Sequence, residues 1–345
     1  MITLIWRTDT HLSDRTPQSR TDNWTDTVLG KLKQVGEIAK AENAAAVLDG
    51  GDFFDVKSPA RNSHRLIRKV ADIHREYPCP VYATVGNHDC VYGDINFLGQ
   101  QPLGVLFSTG VFQRLYHQYE VYFNEMGIYP FVRGGADGGW VVGSPFVNSD
   151  SFVVRVVGVP YMGTSYDLDF LRSIKKGTED YLVVAVHMLA SPKGGTMYEG
   201  EDIFKYADLG GLDPDIFLFG HWHKDQGIDQ VTAGKWIVNI GSLTRGTLAQ
   251  DDISRQPSVA ILRFGDQIKI EQRVLDHQPA GKVFNLASRQ LVEERSAQMA
   301  DFVDSLQESL SNESGPSLRD AIMKFPVDPR VREKALLYLE RHETA

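Results

Sequence analysis

Residues 44–55 read AAAVLDGGDFFD, an apolar run that stops at two glycines and an aspartate. Ala44–Leu48 has the composition of a strand, and Gly50-Gly51-Asp52 is a tight turn that presents a carboxylate where the strand ends. The same design recurs along the chain. Ile2–Trp6 leads into Asp9 and His11, and Pro80–Val85 into Gly86-Asn87-His88-Asp89. Tyr181–Val186 ends at His187, Ile216–Phe219 at Gly220-His221-Trp222-His223, and Trp236–Ile240 at Gly241-Ser242. These runs are rich in Val, Ile, Leu and Phe without strict alternation, as in strands covered on both faces. Helical spacing fills the gaps: Val28, Leu32, Val35 and Ile38 within Thr25–Lys40, then Leu66, Val70 and Ile73 within Pro59–Arg75. Ser58-Pro59 reads as the cap and first turn of the second helix. Alternating strands and helices predict an α/β layered fold, whose ligand sites lie outside the carboxyl ends of the strands. The polar clusters fall at those ends.

The chemistry of the clusters is uniform. Asp9, His11, Asp52, Asn87, His187, His221 and His223 offer only oxygen and imidazole donors. That set suits manganese, iron or zinc in mixed N/O geometry better than a thiolate zinc site. An aspartate can serve two cations with its two oxygens, and Asp52 is the candidate bridge. The i, i+2 spacing of Asp9-Thr10-His11 and His221-Trp222-His223 predicts both side chains of each pair on one side of an extended segment. Glycines at 51, 86 and 220 allow sharp turns.

The ordered blocks D-x-H, G-D-x-x-D, G-N-H-D, H and G-H-x-H resemble those of the calcineurin-like metallophosphoesterase superfamily, and they span roughly residues 1–245. The resemblance implies a four-layer αββα sandwich and two divalent metal ions, Mn2+ first, with Fe2+, Zn2+ or Mg2+ as alternatives. It assigns the first metal to Asp9, His11, Asp52 and His223, and the second to Asp52, Asn87, His187 and His221. Water activated by both cations would attack phosphorus, with no phospho-enzyme. His88 would act at the leaving group, kept protonated by a neighbouring carboxylate from Asp89 or Asp55.

The substrate is less sharply written. Gly51-Asp52-Phe53-Phe54-Asp55 with Pro59 resembles SbcD-like DNA repair nucleases, as does Val159-Pro160-Tyr161. Arg61, Arg65, Arg68 and Arg75 share one helical face, with Lys57 and Lys69 nearby. The stripe has three readings: a track for DNA, with Lys57, Arg61, Arg65 and Arg68 as contacts, a solvated face, or the homodimer packing that the resemblance implies. The resemblance also implies a coiled-coil SbcC-like ATPase partner. The expected function is a metal-dependent phosphodiesterase, a DNA exo- or endonuclease, with a small-molecule phosphodiesterase as the alternative. A net charge of −9 argues against a broadly basic surface and favours the alternative slightly.

Residues 1–275 are expected to form the catalytic domain, with an aromatic-rich elaboration at about 97–147, and residues 276–345 a helical extension. Its helices are marked by Leu291, Phe302, Val303, Leu306 and Leu310, then by a start at Asp328-Pro329. The aromatic rings, among them Phe107, Phe112, Tyr116, Tyr119, Tyr122, Phe123, Tyr129 and Phe131, suit either a subdomain core or base stacking. The extension suits either partner docking or folding back. Two cysteines, no signal-peptide pattern and no apolar run near the ~20 residues that span a bilayer predict a cytoplasmic protein without membrane contact.

Overall fold

The computed structural model describes residues 1–55, 62–91, 94–116, 119–125, 127–132, 152–196, 200–287, 318–324, 332, 333 and 336. In chain order the first strands are β1 (Ile2–Arg7), β2 (Ala46–Asp49), β3 (Val81–Ala83), β4 (Phe112–Arg114), β5 (Tyr119–Asn124) and β6 (Gly127–Val132). Then come β7 (Val154–Val159), β8 (Tyr181–His187), β9 (Ala190–Ser191), β10 (Gly195–Thr196) and β11 (Asp202–Lys205). The last are β12 (Ile216–Gly220), β13 (Asp225–Thr232), β14 (Lys235–Ile240), β15 (Ser258–Phe264) and β16 (Lys269–Val274). One sheet has the order β16-β15-β1-β2-β3-β4, and a second has β13-β14-β12-β8-β7-β5-β6. The central strands of both run parallel, so their carboxyl ends open on one edge.

Side-chain alternation explains why the sheets stack. Leu4, Trp6, Leu48 and Tyr82 of the first sheet face Val183, Ala185, Ile216 and Leu218 of the second in one core. Ile5, Val47 and Ala83 point the other way, onto α1 (Trp24–Ala41), α2 (His64–Arg75) and α3 (Pro102–Ser108). On the far face of the second sheet, Leu182, Val184, Val186 and Phe217 pack with α4 (Leu168–Ser173) and α5 (Tyr206–Leu209). Both faces of each strand are apolar because each sheet is covered twice. This is the αββα sandwich.

Two expectations change and one open alternative closes. The cap of α2 is Ser63, whose hydroxyl accepts from the Leu66 amide at 3.1 Å; Ser58 and Pro59 lie outside the described residues. Phe107, Phe112, Tyr116 and Phe123 are buried, so these rings serve packing and cannot stack bases. β4 extends the first sheet and β5–β6 the second, so the described part of the 97–147 segment builds sheet edges. Its remainder, 133–147, lies outside the described residues.

The chain divides into two units, Met1–Phe284 and Asn285–Ala345. Residues 276–284 belong to the first, since the Thr21 amide donates to the Val283 carbonyl and Phe284 packs beneath the Arg20 guanidinium. In the second unit the helix Leu318–Lys324 is described, and the expected helix of 291–310 and its neighbour from Asp328 fall largely outside the described residues. No helix among the described residues is long and apolar enough to cross a membrane.

A buried ion pair anchors the loop of Asp52. Arg7, wholly buried at the end of β1, donates through Nε to Asp49 at 2.7 Å and through a terminal nitrogen to the Tyr77 hydroxyl at 3.1 Å. Its other terminal nitrogen meets His74 Nε2 at 2.9 Å. His74 Nδ1 donates to the Val70 carbonyl at 2.7 Å, so Nε2 is the acceptor, and burial beside Arg7 keeps this histidine neutral. The second oxygen of Asp49 takes the Gly51 amide at 3.1 Å. Asp49→Asn leaves Arg7 buried without a counter-charge and is expected to cost about 3–5 kcal/mol. Urea denaturation would show it as a lower midpoint at unchanged slope; an unchanged midpoint would remove the anchor role.

Candidate functional site

All seven predicted ligands converge at the shared edge of the sheets. Asp9 and His11 follow β1, Asp52 follows β2, Asn87 follows β3, His187 ends β8, and His221 and His223 follow β12. Strand extension does not set their directions. Asp9, His11, Asp52 and His221 lie at φ of 53°, 46°, 50° and 88°, the left-handed region that side chains with a Cβ avoid. The extended geometry expected for Asp9-Thr10-His11 and His221-Trp222-His223 is therefore wrong; loops, each strained at the cost of about 1–3 kcal/mol per residue, aim these groups. Backbone bonds hold the strained turns: the Asp9 amide donates to the Gly51 carbonyl at 3.1 Å and the His11 amide to the Asp52 carbonyl at 3.0 Å. A Cβ on Gly86 would sit 2.0 Å from Asp52 Oδ1, so only glycine admits that carboxylate.

The donors form two groups and a third that links them. Asp9, His11 and His223 present ligand atoms within 4.8 Å of one another, so do Asp52, His187 and His221, and His11, Asp52 and His88 form the link. Asp52 Oδ2 lies 3.7 Å from His11 Nε2 and 3.4 Å from His187 Nε2, which places it between the groups. Asn87 Oδ1 is 3.3 Å from His187 Nε2. Asp9 Oδ1 is 3.8 Å from the Nε2 atoms of both His11 and His223.

These residues fit divalent cations. His187 Nδ1 donates to the Gly50 carbonyl at 2.7 Å, which leaves the Nε2 lone pair facing two oxygens. His11 Nε2 is buried without a hydrogen-bond partner, among carboxylate oxygens too distant to bond. Burial opposes charge throughout; at His223 it prevails, aided by His11, and pushes the imidazole down to about 4, whereas at Asp9, Asp52, His11 and His187 the opposite charges prevail. Asp9 and Asp52 are held well below the carboxylate range by the surrounding imidazoles. In turn Asp52 and Asp9 push His187 up to about 9, and Asp55, with Asp9 and Asp52, pushes His11 upward. Two buried carboxylates require positive charge between them, and imidazoles fixed with inward lone pairs are the ligands for it.

His88 stands beside this set. Its amide donates to Asp52 Oδ1 at 2.7 Å, and its Nδ1 donates to the backbone carbonyl of Asp55 at 2.8 Å. The neighbouring carboxylates act elsewhere. That of Asp55 lies 3.5 Å from His11 Nδ1. That of Asp89 accepts the amides of Gly86 at 3.0 Å, Phe53 at 3.2 Å and Phe54 at 3.3 Å. Burial and the charge of Asp52 push Asp89 up to about 7. Asp89 thus clamps the Asp52 loop to the Asn87 loop, a positioning task in place of the expected contact with the His88 imidazole. Of the basic stripe, Arg65 and Arg68 are exposed on α2 and make no ion pair among the described residues; Lys57 and Arg61 lie outside them.

Glu201 escaped the sequence reading. Its carboxylate lies 2.8 Å from His221 Nε2 and accepts the Tyr166 hydroxyl, which itself accepts the Leu189 amide at 3.1 Å. With Nε2–H committed to Glu201, His221 keeps Nδ1 as its ligand atom. A groove of about 410 Å³ runs past the set, with His11, His88 and His223 on its inner wall and Arg15, Gln18 and Thr247 among its outer residues.

An αββα sandwich with such a donor set at its strand ends defines a phosphoesterase of the dinuclear-metal type. The sequence pattern of the calcineurin-like phosphoesterases matches residues 5–225, and the chain belongs to that family. Its members hold a dinuclear metal centre, for which this chain has candidate ligand groups. Among solved structures it is similar to a dimetal phosphatase from Danio rerio, at 11% identity and TM-score 0.45, over 79% of this chain and 96% of that one. It is also similar to TT1561 of Thermus thermophilus, at 13% identity and TM-score 0.41, over 79% and 98%.

Glu201→Gln should weaken binding of one of two Mn2+ ions about 10–100-fold in a calorimetric titration. Unchanged affinity would show that Glu201 does not orient His221.

Proposed function

We propose that this metal-dependent phosphoesterase is a phosphodiesterase acting on DNA, in the manner of the SbcD-like nucleases its sequence resembles. The observation that carries the diester reading is His88, set against the ligand cluster with one nitrogen fixed. Its Nδ1–H is committed to the Asp55 carbonyl, so Nε2 is the atom that can pass a proton to an alkoxide leaving group. Two divalent cations bound to the seven ligands would supply Lewis acidity at a phosphoryl oxygen and acidify water there. Asp52 Oδ2 lies between the two groups of ligands, while Asp89 fixes the two loops that carry Asp52 and Asn87.

DNA is favoured by the cations near the groove. Arg15 stands at its mouth, and the neighbouring Asp14 accepts the Ser63 amide at 2.6 Å, just before α2 begins. Exposed Arg65 and Arg68 follow within the first turns of that helix, giving a phosphate backbone a path away from the groove. The net charge of −9 favours the second reading, a small phosphodiester drawn in by the metals alone.

Mn2+-loaded protein should degrade linear DNA, and Asp52→Ala should abolish this. A wild-type enzyme that hydrolyses a cyclic nucleotide and spares both single- and double-stranded DNA would sink the DNA reading. His88→Ala should keep both metals and lose about 10²–10⁴-fold in kcat; metal loss in that variant would make His88 structural. Replacing Arg65 and Arg68 by glutamate should reduce the salt slope of DNA binding by about 2, whereas an unchanged slope assigns α2 elsewhere.

A further inference from the structure

Beyond residues 242–247 lies a second cavity, of about 480 Å³, lined by α1 on one side and by residues 244–245 and 276–278 on the other. Trp24 and Thr244 line both this cavity and the groove, so a single wall separates them. The buried charged groups that line the cavity are all cationic. Lys31 of α1 is 4% exposed, and its Nζ makes one hydrogen bond, to the Asp276 carbonyl at 3.3 Å. Arg245 is equally buried and donates to the Gln278 carbonyl at 2.6 Å. Arg20 also lines the cavity, and Arg255 is near enough to act on Lys31.

The carboxylates nearby do not balance this charge. Asp22 accepts from two Arg20 nitrogens, at 2.7 and 2.8 Å, the third donates to the Arg245 carbonyl at 2.7 Å, and Asp252 takes Arg255 at 3.0 Å. Asp26 and Asp276 line the cavity but are exposed at its rim. Among the described residues neither Lys31 nor Arg245 has an ion-pair partner. Burial, then the like charges of Arg245, Arg20 and Arg255, push Lys31 down to about 7. Desolvated like charges facing an open cavity cost free energy that an anion inside would offset.

We propose that this cavity binds a phosphate group, held between the Lys31 ammonium and the Arg245 guanidinium. A guanidinium offers paired N–H donors to tetrahedral oxyanions, and a lysine adds a point charge that adapts to them. The volume admits more than a lone ion and suits a phosphate carried on a nucleoside-sized body. Such a group has two sources: a flanking phosphate of the substrate whose scissile bond lies in the groove, or a separate small phosphate ligand. The site itself stands apart from the metal centre and does not rest on the DNA reading.

The test is a calorimetric titration of the full chain with inorganic phosphate in EDTA, which strips cations from the metal centre. One saturable site is expected, weakened at least about tenfold by Lys31→Met and by Arg245→Met, and unchanged by Asp52→Asn. Lys31→Met removes a charge from a crowded cationic cluster, so this variant keeps the test alive if Arg245→Met fails to fold. No saturable binding by the wild type, or binding untouched by Lys31→Met, would overturn the proposal. Kinetics with Mn2+ then separate the sources. If Lys31→Met lowers kcat/KM for an oligonucleotide but not for a single-diester reporter, the phosphate belongs to the substrate. If both substrates are unaffected while phosphate affinity is lost, the ligand is a separate phosphate.

Discussion

Two carboxylates, Asp9 and Asp52, sit in the interior at the joint edge of two sheets, and the surrounding structure answers the positive charge they demand. Burial alone would drive both to their protonated forms. Instead imidazoles converge on them from three segments, after β1, at the end of β8 and after β12, with donor atoms 3.4–3.8 Å from the oxygens. That separation is too long for hydrogen bonds and leaves room for cations. The strained backbone at Asp9, His11, Asp52 and His221 makes sense in this light, because aiming four side chains inward is stabilised once metal is bound.

The layers beneath hold this arrangement rigid. Arg7 and Asp49 form a buried pair whose second job is to fix the Gly51 amide, one residue before Asp52. Asp89 does the same from the other loop by collecting three amides. Positive charge in this acidic chain is therefore placed with economy. It is buried under the site at Arg7, lines the neighbouring cavity at Lys31 and Arg245, and is exposed on α2 at Arg65 and Arg68. A net charge of −9 thus conceals cationic spots where an anionic substrate would meet the protein.

Much of this was legible in the chain. Apolar runs that end in Asp, His or Gly mark both the sheet and the site, because a parallel sheet presents its loops at one edge. Period-two burial inside continuous apolar runs was not visible, since both faces are covered and the pattern is erased. The i, i+2 pairs were recognised for the wrong reason: left-handed turns, which residues other than glycine seldom signal, replace extension. Glu201 lies twenty residues before its partner His221 in a loop with no motif, and proximity there arises from the third dimension alone. Lys31 looks like an ordinary helix-surface lysine until residues 245 and 276 fold over it. The aromatic segment was ambiguous because packing and stacking ask for the same rings; burial of Phe107, Phe112, Tyr116 and Phe123 decides for packing.

Asp52 would join two cation sites into one centre. Electron paramagnetic resonance of the protein titrated with Mn2+ reads this out. Two ions per chain, an exchange-coupled pair signal and loss of coupling in Asp52→Ala are expected. A single bound ion, or two ions that remain magnetically independent in the wild type, would contradict it.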